Sequence, residues 1–142
     1  MALALGNPGN DSVEPTRLDP VEVGTKALEL LKKSKLYKRA RKQQATRIEA
    51  AFRAFREWLV DIRIGSLAVP ADQVIELLAD NFSRLVRFRL ARAGYGNRQA
   101  KEATWQRWLD SSDELVSKGF DERALLQLTK EVASLFEGVQ EG

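Results

Sequence analysis

The residues with the clearest chemical potential in this chain are cations, and many of them lie in one short stretch. Residues 26–56 contain eleven Lys or Arg against two Glu, a net charge of +9. Contact with a phosphate polymer needs several cations on one rigid element, and Tyr and Gln side chains add hydrogen bonds to sugar and phosphate oxygens. Tyr37, Gln43 and Gln44 stand among these cations. The stretch therefore predicts a surface that binds a polyanion.

Three interpretations of this basic stretch remain open. Binding of nucleic acid is favoured, and about six to ten phosphate contacts would make the affinity fall steeply with salt. A plain solvated helix face is the second interpretation, because isolated basic runs often have no partner. Binding to an anionic membrane surface is the third, and the lack of a large apolar face in the stretch weighs against it.

A second group of cations lies at residues 84–101, which contain six Lys or Arg and no acidic residue. Several fall in the C-terminal half of a predicted helix, where cations interact favourably with the helix dipole. Their number exceeds that need, and the planar guanidinium group suits phosphate. Tyr95 can stack on a base or pack at its turn, and packing is favoured. The two groups of cations can therefore form one continuous surface.

No signature of base recognition accompanies these cations, because the chain has no zinc-finger pattern, no RNP aromatic motif and no Gly-x-x-Gly clamp. Binding is therefore expected to be largely independent of base sequence. The predicted nucleic-acid contacts are Lys32, Lys33, Lys35, Lys38, Arg39, Arg41, Lys42, Arg47, Arg84, Arg87, Arg92 and Arg98.

The residue types that most enzymes use are missing from the sequence. It contains neither Cys nor His, which excludes thiolate nucleophiles, Ser-His-Asp triads, disulfides and the usual zinc sites. Asp72, Glu76 and Asp80 form an acidic row at helical spacing, and we expect it to pair with arginines of a neighbouring chain rather than to hold a metal. No Gly-rich phosphate loop is present. We therefore expect no enzymatic activity, no metal and no cofactor.

Charge is arranged in blocks along the 142 residues, although the net charge is only +3. Residues 1–25 carry a net charge of −3, residues 57–83 carry −4 and residues 102–142 carry −5. The apolar content of 44% is ordinary for a folded protein, which at this length buries roughly 70% of its unfolded surface. No stretch approaches the ~20 apolar residues that cross a bilayer. A soluble protein is therefore expected.

The apolar spacing and the turn residues predict an all-α fold, a helical bundle with a long basic N-terminal helix and an extended N-terminal arm. Residues 1–18, with several Gly, Pro and Asn, are expected to form the arm. Residues 19–142 are expected to form a single domain. Its helices are predicted at about 20–64, 70–93, 98–117 and 122–137, with a break near Ser34 as an alternative.

The apolar stripe of the first predicted helix stops inside that helix. Ile48, Phe52 and Phe55 recur at steps of four and three residues, whereas the same register further back reaches Arg41 and Lys38. Arg and Lys rarely become buried without a partner. The helix is therefore expected to leave the core there and to be enclosed by, or wrapped on, a polyanion.

This arrangement of a Pro-containing arm, a long basic helix and a compact antiparallel helical remainder resembles the major coat proteins of filamentous archaeal viruses. In that family helical subunits pair, wrap linear double-stranded DNA and hold it in A form. The resemblance implies that the cations of residues 32–42 line the DNA. It also implies that the arm and the Trp-bearing helix contact neighbouring subunits, through Leu3, Leu5, Trp105 and Trp108. On spacing alone, the two tryptophans are more typical of a core.

The favoured function is structural DNA packaging by a virion coat subunit that assembles around double-stranded DNA. Its partners would be the duplex, further copies of itself and a second, related coat protein. The alternatives are a discrete nucleic-acid-binding module of the small-terminase or recombinase core-binding type, and a helical adaptor for an acidic protein. A cytoplasmic location goes with these alternatives.

Overall fold

The computed structural model describes residues 18–62 and 70–137, and it is all-helical over these ranges. The helices are α1 (Pro20–Lys32), α2 (Lys35–Ala40), α3 (Ala45–Asp61), α4 (Ala71–Leu90), α5 (Arg98–Ser117) and α6 (Glu122–Leu135), with a π-helical turn at Ala91–Tyr95 after α4. The described residues contain no strand, so the predicted all-α class is confirmed for them.

Helix α4 is the centre of the described fold, because it packs against each of the five other α-helices found in residues 18–62 and 70–137. Its Phe82 stacks on Phe55 of α3 at a centroid distance of 4.0 Å and meets Phe52 edge-on at 5.0 Å. All three rings are buried. Aromatic pairs in these geometries contribute beyond their buried area, so this cluster fixes α3 on α4.

The long helix predicted over residues 20–64 is three helices in the described range. The first break is at Ser34, whose backbone is extended and whose Oγ accepts a hydrogen bond from the N–H of Leu36 at 3.1 Å. Ser is a favoured residue for starting a helix in this way. The second break is the turn at residues 41–44. The predicted end at residue 64 lies outside the described residues.

The break at Ser34 changes which side chains face the core. In α2, Leu36 and Ala40 are buried against α4 and the π-helical turn. Lys38 and Arg41, which the uninterrupted stripe would place inward, are exposed. Because one side of α2 is packed inside the protein, the expectations that this segment leaves the core and is enclosed by a polyanion are wrong. That its exposed side is wrapped on a polyanion stays a prediction.

Local capping signals set the ends of the later helices. The Asn97 side chain accepts from the N–H of Ala100 at the start of α5, and Asp121 accepts from the N–H of Arg123 at the start of α6. Gly94 and Gly119 have φ of 106° and 102°, a conformation that favours glycine. The predicted range 98–117 coincides with α5, and 122–137 extends two residues beyond α6.

The arm predicted over residues 1–18, with Leu3 and Leu5, lies outside the described residues except for Leu18. That side chain is buried in the core beside α1. Within the described ranges, no helix combines the length and the apolar character that a bilayer crossing requires.

We expect Leu36→Ala to lower the free energy of unfolding by roughly 2–5 kcal/mol, because it empties a buried contact between α2 and α4. Leu36 is 8% exposed, whereas Leu126 on α6 is 46% exposed. Leu126→Ala is therefore the matched control, with an expected change within about 0.5 kcal/mol. Urea unfolding measures both. Equal changes in the two variants would show that α2 is not seated on the core.

Candidate nucleic-acid interface

The seven cations of residues 32–42 are all exposed and lie on α2, at the end of α1 and in the turn that follows α2. We call this group the basic surface; it consists of Lys32, Lys33, Lys35, Lys38, Arg39, Arg41 and Lys42. Since Leu36 and Ala40 face inward, the cations of α2 point away from the core. The predicted contacts of the first block are thus brought together on one side of the molecule.

Tyr95 holds the basic surface against the turn between α4 and α5. Its hydroxyl donates to Oε1 of Gln43 at 2.5 Å and accepts from Nε2 of Gln44 at 3.3 Å. Its carbonyl oxygen accepts from Nη1 of Arg39 at 3.2 Å. Tyr95 is half-buried, so it packs at its turn and anchors the segment between α2 and α3 rather than presenting a free ring for stacking.

The cations of the second block, residues 84–101, do not form one continuous positively charged surface with the basic surface. Arg84 is half-buried and donates from Nε to Oδ2 of Asp80 at 2.7 Å. Arg98 is exposed and pairs with Glu102 at 3.3 Å. Arg47 of the first block, on α3, is also half-buried and is not part of the basic surface. Two of the cations that were predicted to contact nucleic acid, Arg84 and Arg98, are therefore already paired with carboxylates of the same chain.

Arg87 has a structural role in the fold. Its Nη2 donates to the carbonyl oxygen of Leu30 at 3.1 Å and lies 3.4 Å from Oγ of Ser83. The Leu30 carbonyl also accepts from the N–H of Lys33 at 3.3 Å, so Arg87 gives it a second donor and ties α1 to α4. Burial and the neighbouring charge of Arg84 lower the pKa of Arg87, and Arg107 lowers it further, whereas Asp80 raises it. A guanidinium remains the charged form under ordinary conditions.

Arg92 and Lys101 lie on another flank of α4 and α5, around an open pocket of about 540 Å³. Phe88 and Trp105 form its apolar part, with ring centroids 4.9 Å apart. Trp105 is 38% exposed and remains available as an interface residue. Trp108 is 4% exposed and stacks under Trp105 at 5.0 Å, so its expected place in a subunit interface is wrong and it belongs to the core.

The acidic row on α4 is engaged within the chain. Glu76 pairs with Lys26 of α1 at 3.3 Å, and Asp80 pairs with Arg84. Asp72 is exposed, and one of its oxygens accepts from the N–H of Gln73. Over residues 18–62 and 70–137, no group of three or more carboxylates is placed to hold a metal ion.

A cationic cleft of about 220 Å³ was not predicted from the sequence. It lies where the start of α2 meets α4 and α5, and it is lined by Arg84, Arg87 and Arg107 together with Ser34 and Thr104. Arg107 belongs to the acidic C-terminal block, so counting charge along the chain does not reveal it. The steps of four and three residues that place Ala100, Thr104 and Arg107 on one side of α5 are the signal that could have indicated it.

Comparison of this chain with protein-family models, with curated proteins and with solved structures finds no match.

We expect Tyr95→Phe to lower the free energy of unfolding by about 1–2 kcal/mol, since it leaves the buried Gln44 side chain without its hydroxyl partner. Tyr37→Phe is the matched control, because the Tyr37 hydroxyl makes no hydrogen bond among the described residues and its loss should change little. Urea unfolding followed by circular dichroism measures both variants. A loss that is no larger for Tyr95→Phe would contradict the anchoring role.

Proposed function

We propose that this chain binds double-stranded DNA through the basic surface and acts as a structural DNA-packaging protein rather than as an enzyme. One observation carries the proposal. Among the described residues, none of the seven cations of the basic surface is paired with a carboxylate, although carboxylates pair with Lys26, Arg84 and Arg98 elsewhere. A cluster of exposed cations without internal counter-charges attracts an anionic polymer and gains when that polymer replaces its counterions.

The geometry of α2 favours phosphate contacts over base contacts. A helix of six residues is about 9 Å long, and one side of α2 is packed on the core. It therefore offers cations to a backbone and no free helix that could enter a groove and read base edges. Binding that is independent of base sequence follows from this arrangement.

The packaging part of the proposal rests on the resemblance to coat proteins of filamentous archaeal viruses, and the long basic helix that the resemblance implies is replaced here by α1, α2 and α3. What supports self-assembly is the exposed ring of Trp105, beside an open pocket that none of the cations of the basic surface lines. In this form of the proposal several copies lie side by side on the duplex, with a second coat protein as a further partner.

We expect the double substitution Lys38→Glu with Arg41→Glu to abolish binding to duplex DNA at low salt, because it reverses two charges at the centre of the basic surface. Both side chains are exposed, so the helix content should not change. Fluorescence anisotropy with a labelled duplex of arbitrary sequence measures binding, and circular dichroism checks folding.

The matched control is Arg123→Glu with Lys130→Glu on α6, which changes the net charge equally at two exposed positions. Helix α6 makes no extensive contact with α1 or α2. This control should keep most of the binding. The neutral pair Lys38→Gln with Arg41→Gln should reduce the slope of log affinity against log salt by about two, one phosphate contact per cation removed. Similar losses in the α6 control would show that only net charge matters and would remove the basic surface from the proposal.

Imaging of the purified protein mixed with linear duplex DNA tests the packaging role. Regular filaments that protect the DNA from nuclease are the expected result, because several copies must share one duplex. Discrete particles on the DNA would contradict packaging and favour a nucleic-acid-binding module. Absence of binding at low salt would exclude both.

A further inference from the structure

The cleft between α2, α4 and α5 brings together three guanidinium groups from two helices. Arg84 and Arg87 come from α4, and Arg107 comes from α5. Among the described residues that line the cleft there is no carboxylate, and one of the three guanidinium groups, that of Arg84, pairs with Asp80. The local charge is therefore strongly positive in a partly enclosed space.

Polar groups in this cleft have hydrogen-bonding capacity that the protein does not use. The Nε of Arg87 is buried and has no hydrogen-bond partner. Arg107 makes no ion pair or hydrogen bond with the described residues. The Ser34 Oγ accepts from the N–H of Leu36, which leaves its own proton available for donation. The Nε of Arg87 is closed to solvent, whereas Arg107 is exposed, so it is the Arg107 guanidinium that offers free donors to an acceptor-rich group in the cleft.

We propose that this cleft binds one phosphate group, held between Arg84 and Arg87 on one side and Arg107 on the other. The volume of about 220 Å³ accommodates a phosphate group with a few water molecules, each of which occupies roughly 30 Å³ in the liquid. Guanidinium groups give paired, directed hydrogen bonds to phosphate oxygens.

Repulsion among the cations supports the same assignment. The pKa of Arg87 is lowered by burial and by its cationic neighbours. A bound anion would offset that repulsion. The phosphate can come from two sources, a free phosphate ion or a phosphodiester of nucleic acid on the adjacent basic surface. Ser34 and Leu36 of the cleft lining alternate along the chain with Lys33 and Lys35 of the basic surface, so the two sites are neighbours in sequence, although Leu36 itself faces the core.

Inorganic phosphate is the first probe, and Arg107→Gln is the test variant because its side chain makes no contact that the fold needs. The thermal midpoint of the unsubstituted protein should rise with phosphate concentration relative to chloride at equal ionic strength, as expected for a ligand of the folded state. Arg107→Gln should weaken the phosphate affinity about tenfold, the loss expected for one charge-assisted contact. Arg84→Gln should do the same from the opposite wall.

The control variant is Arg123→Gln on α6, which should respond to phosphate like the unsubstituted protein. This comparison removes the general stabilisation that phosphate gives to any folded protein. Arg87 is left unsubstituted, because its contact with the Leu30 carbonyl is part of the fold.

A short duplex is the second probe and separates the two sources. If a phosphodiester occupies the cleft, Arg107→Gln should reduce the salt slope of duplex binding by about one. If the slope is unchanged while the affinity for inorganic phosphate falls, the ligand is the free ion. The proposal is overturned when Arg107→Gln alters neither the phosphate response nor the slope. Failure of the basic surface itself appears separately, because it would leave the phosphate response of the cleft intact.

Discussion

The interruption between helices α1 and α2 at Ser34 is the constraint on which the rest of the structure depends. Its extended backbone and capping hydroxyl start α2 in a new direction and with a new helical phase. Had α1 continued, the positions four and seven residues after the buried Leu31 would be Lys35 and Lys38. Burial of those ammonium groups would be costly without partners. The cap places Leu36 inward instead, so a segment that is dense in cations can pack on α4 without burying any of them.

This packing distinguishes two groups among the cations of the described residues. In the first group, Lys26, Arg84 and Arg98 pair with carboxylates. Arg87 donates a hydrogen bond to the Leu30 carbonyl oxygen. These contacts hold helices to one another or balance local charge. The basic surface has no carboxylate partner among the described residues, although its Arg39 donates to the carbonyl oxygen of Tyr95. Its charges repel one another within a Debye length of about 8 Å at physiological salt, which the fold tolerates because every one of them stays in water. The local excess of positive charge in the sequence is therefore retained at the surface of the folded protein at residues 32–42.

The elements that could be predicted from sequence are those whose limits are set by local chemistry. The range of α5 follows from Gly94, Gly96 and Asn97, and α6 begins after Asp121, because turns and caps depend on nearby residues alone. The break near Ser34 was predicted only as an alternative, because no Pro or Gly marks it and the apolar stripe that resumes at Ile48 favoured one continuous helix. The phosphate cleft could not be predicted from the sequence for a different reason. Arg107 is distant in sequence from Arg84 and Arg87, and only the packing of α5 on α4 brings them together.

The choice of Lys or Arg at these two places matches the physical demand at each. Five of the seven cations on the basic surface are Lys, whereas the cleft contains only Arg. An ammonium group is strongly hydrated and acts as a point charge, so it attracts a polyanion at a distance while it remains in solvent. A guanidinium group is less strongly hydrated and carries several donors in a fixed plane, which lets Arg87 be half-buried and bind a carbonyl while still lining the cleft. Long-range attraction and directed contact are therefore provided by different side chains. The α2 segment connects the two sites along the chain, because Ser34 lines the cleft and Lys38 and Arg41 lie on the basic surface.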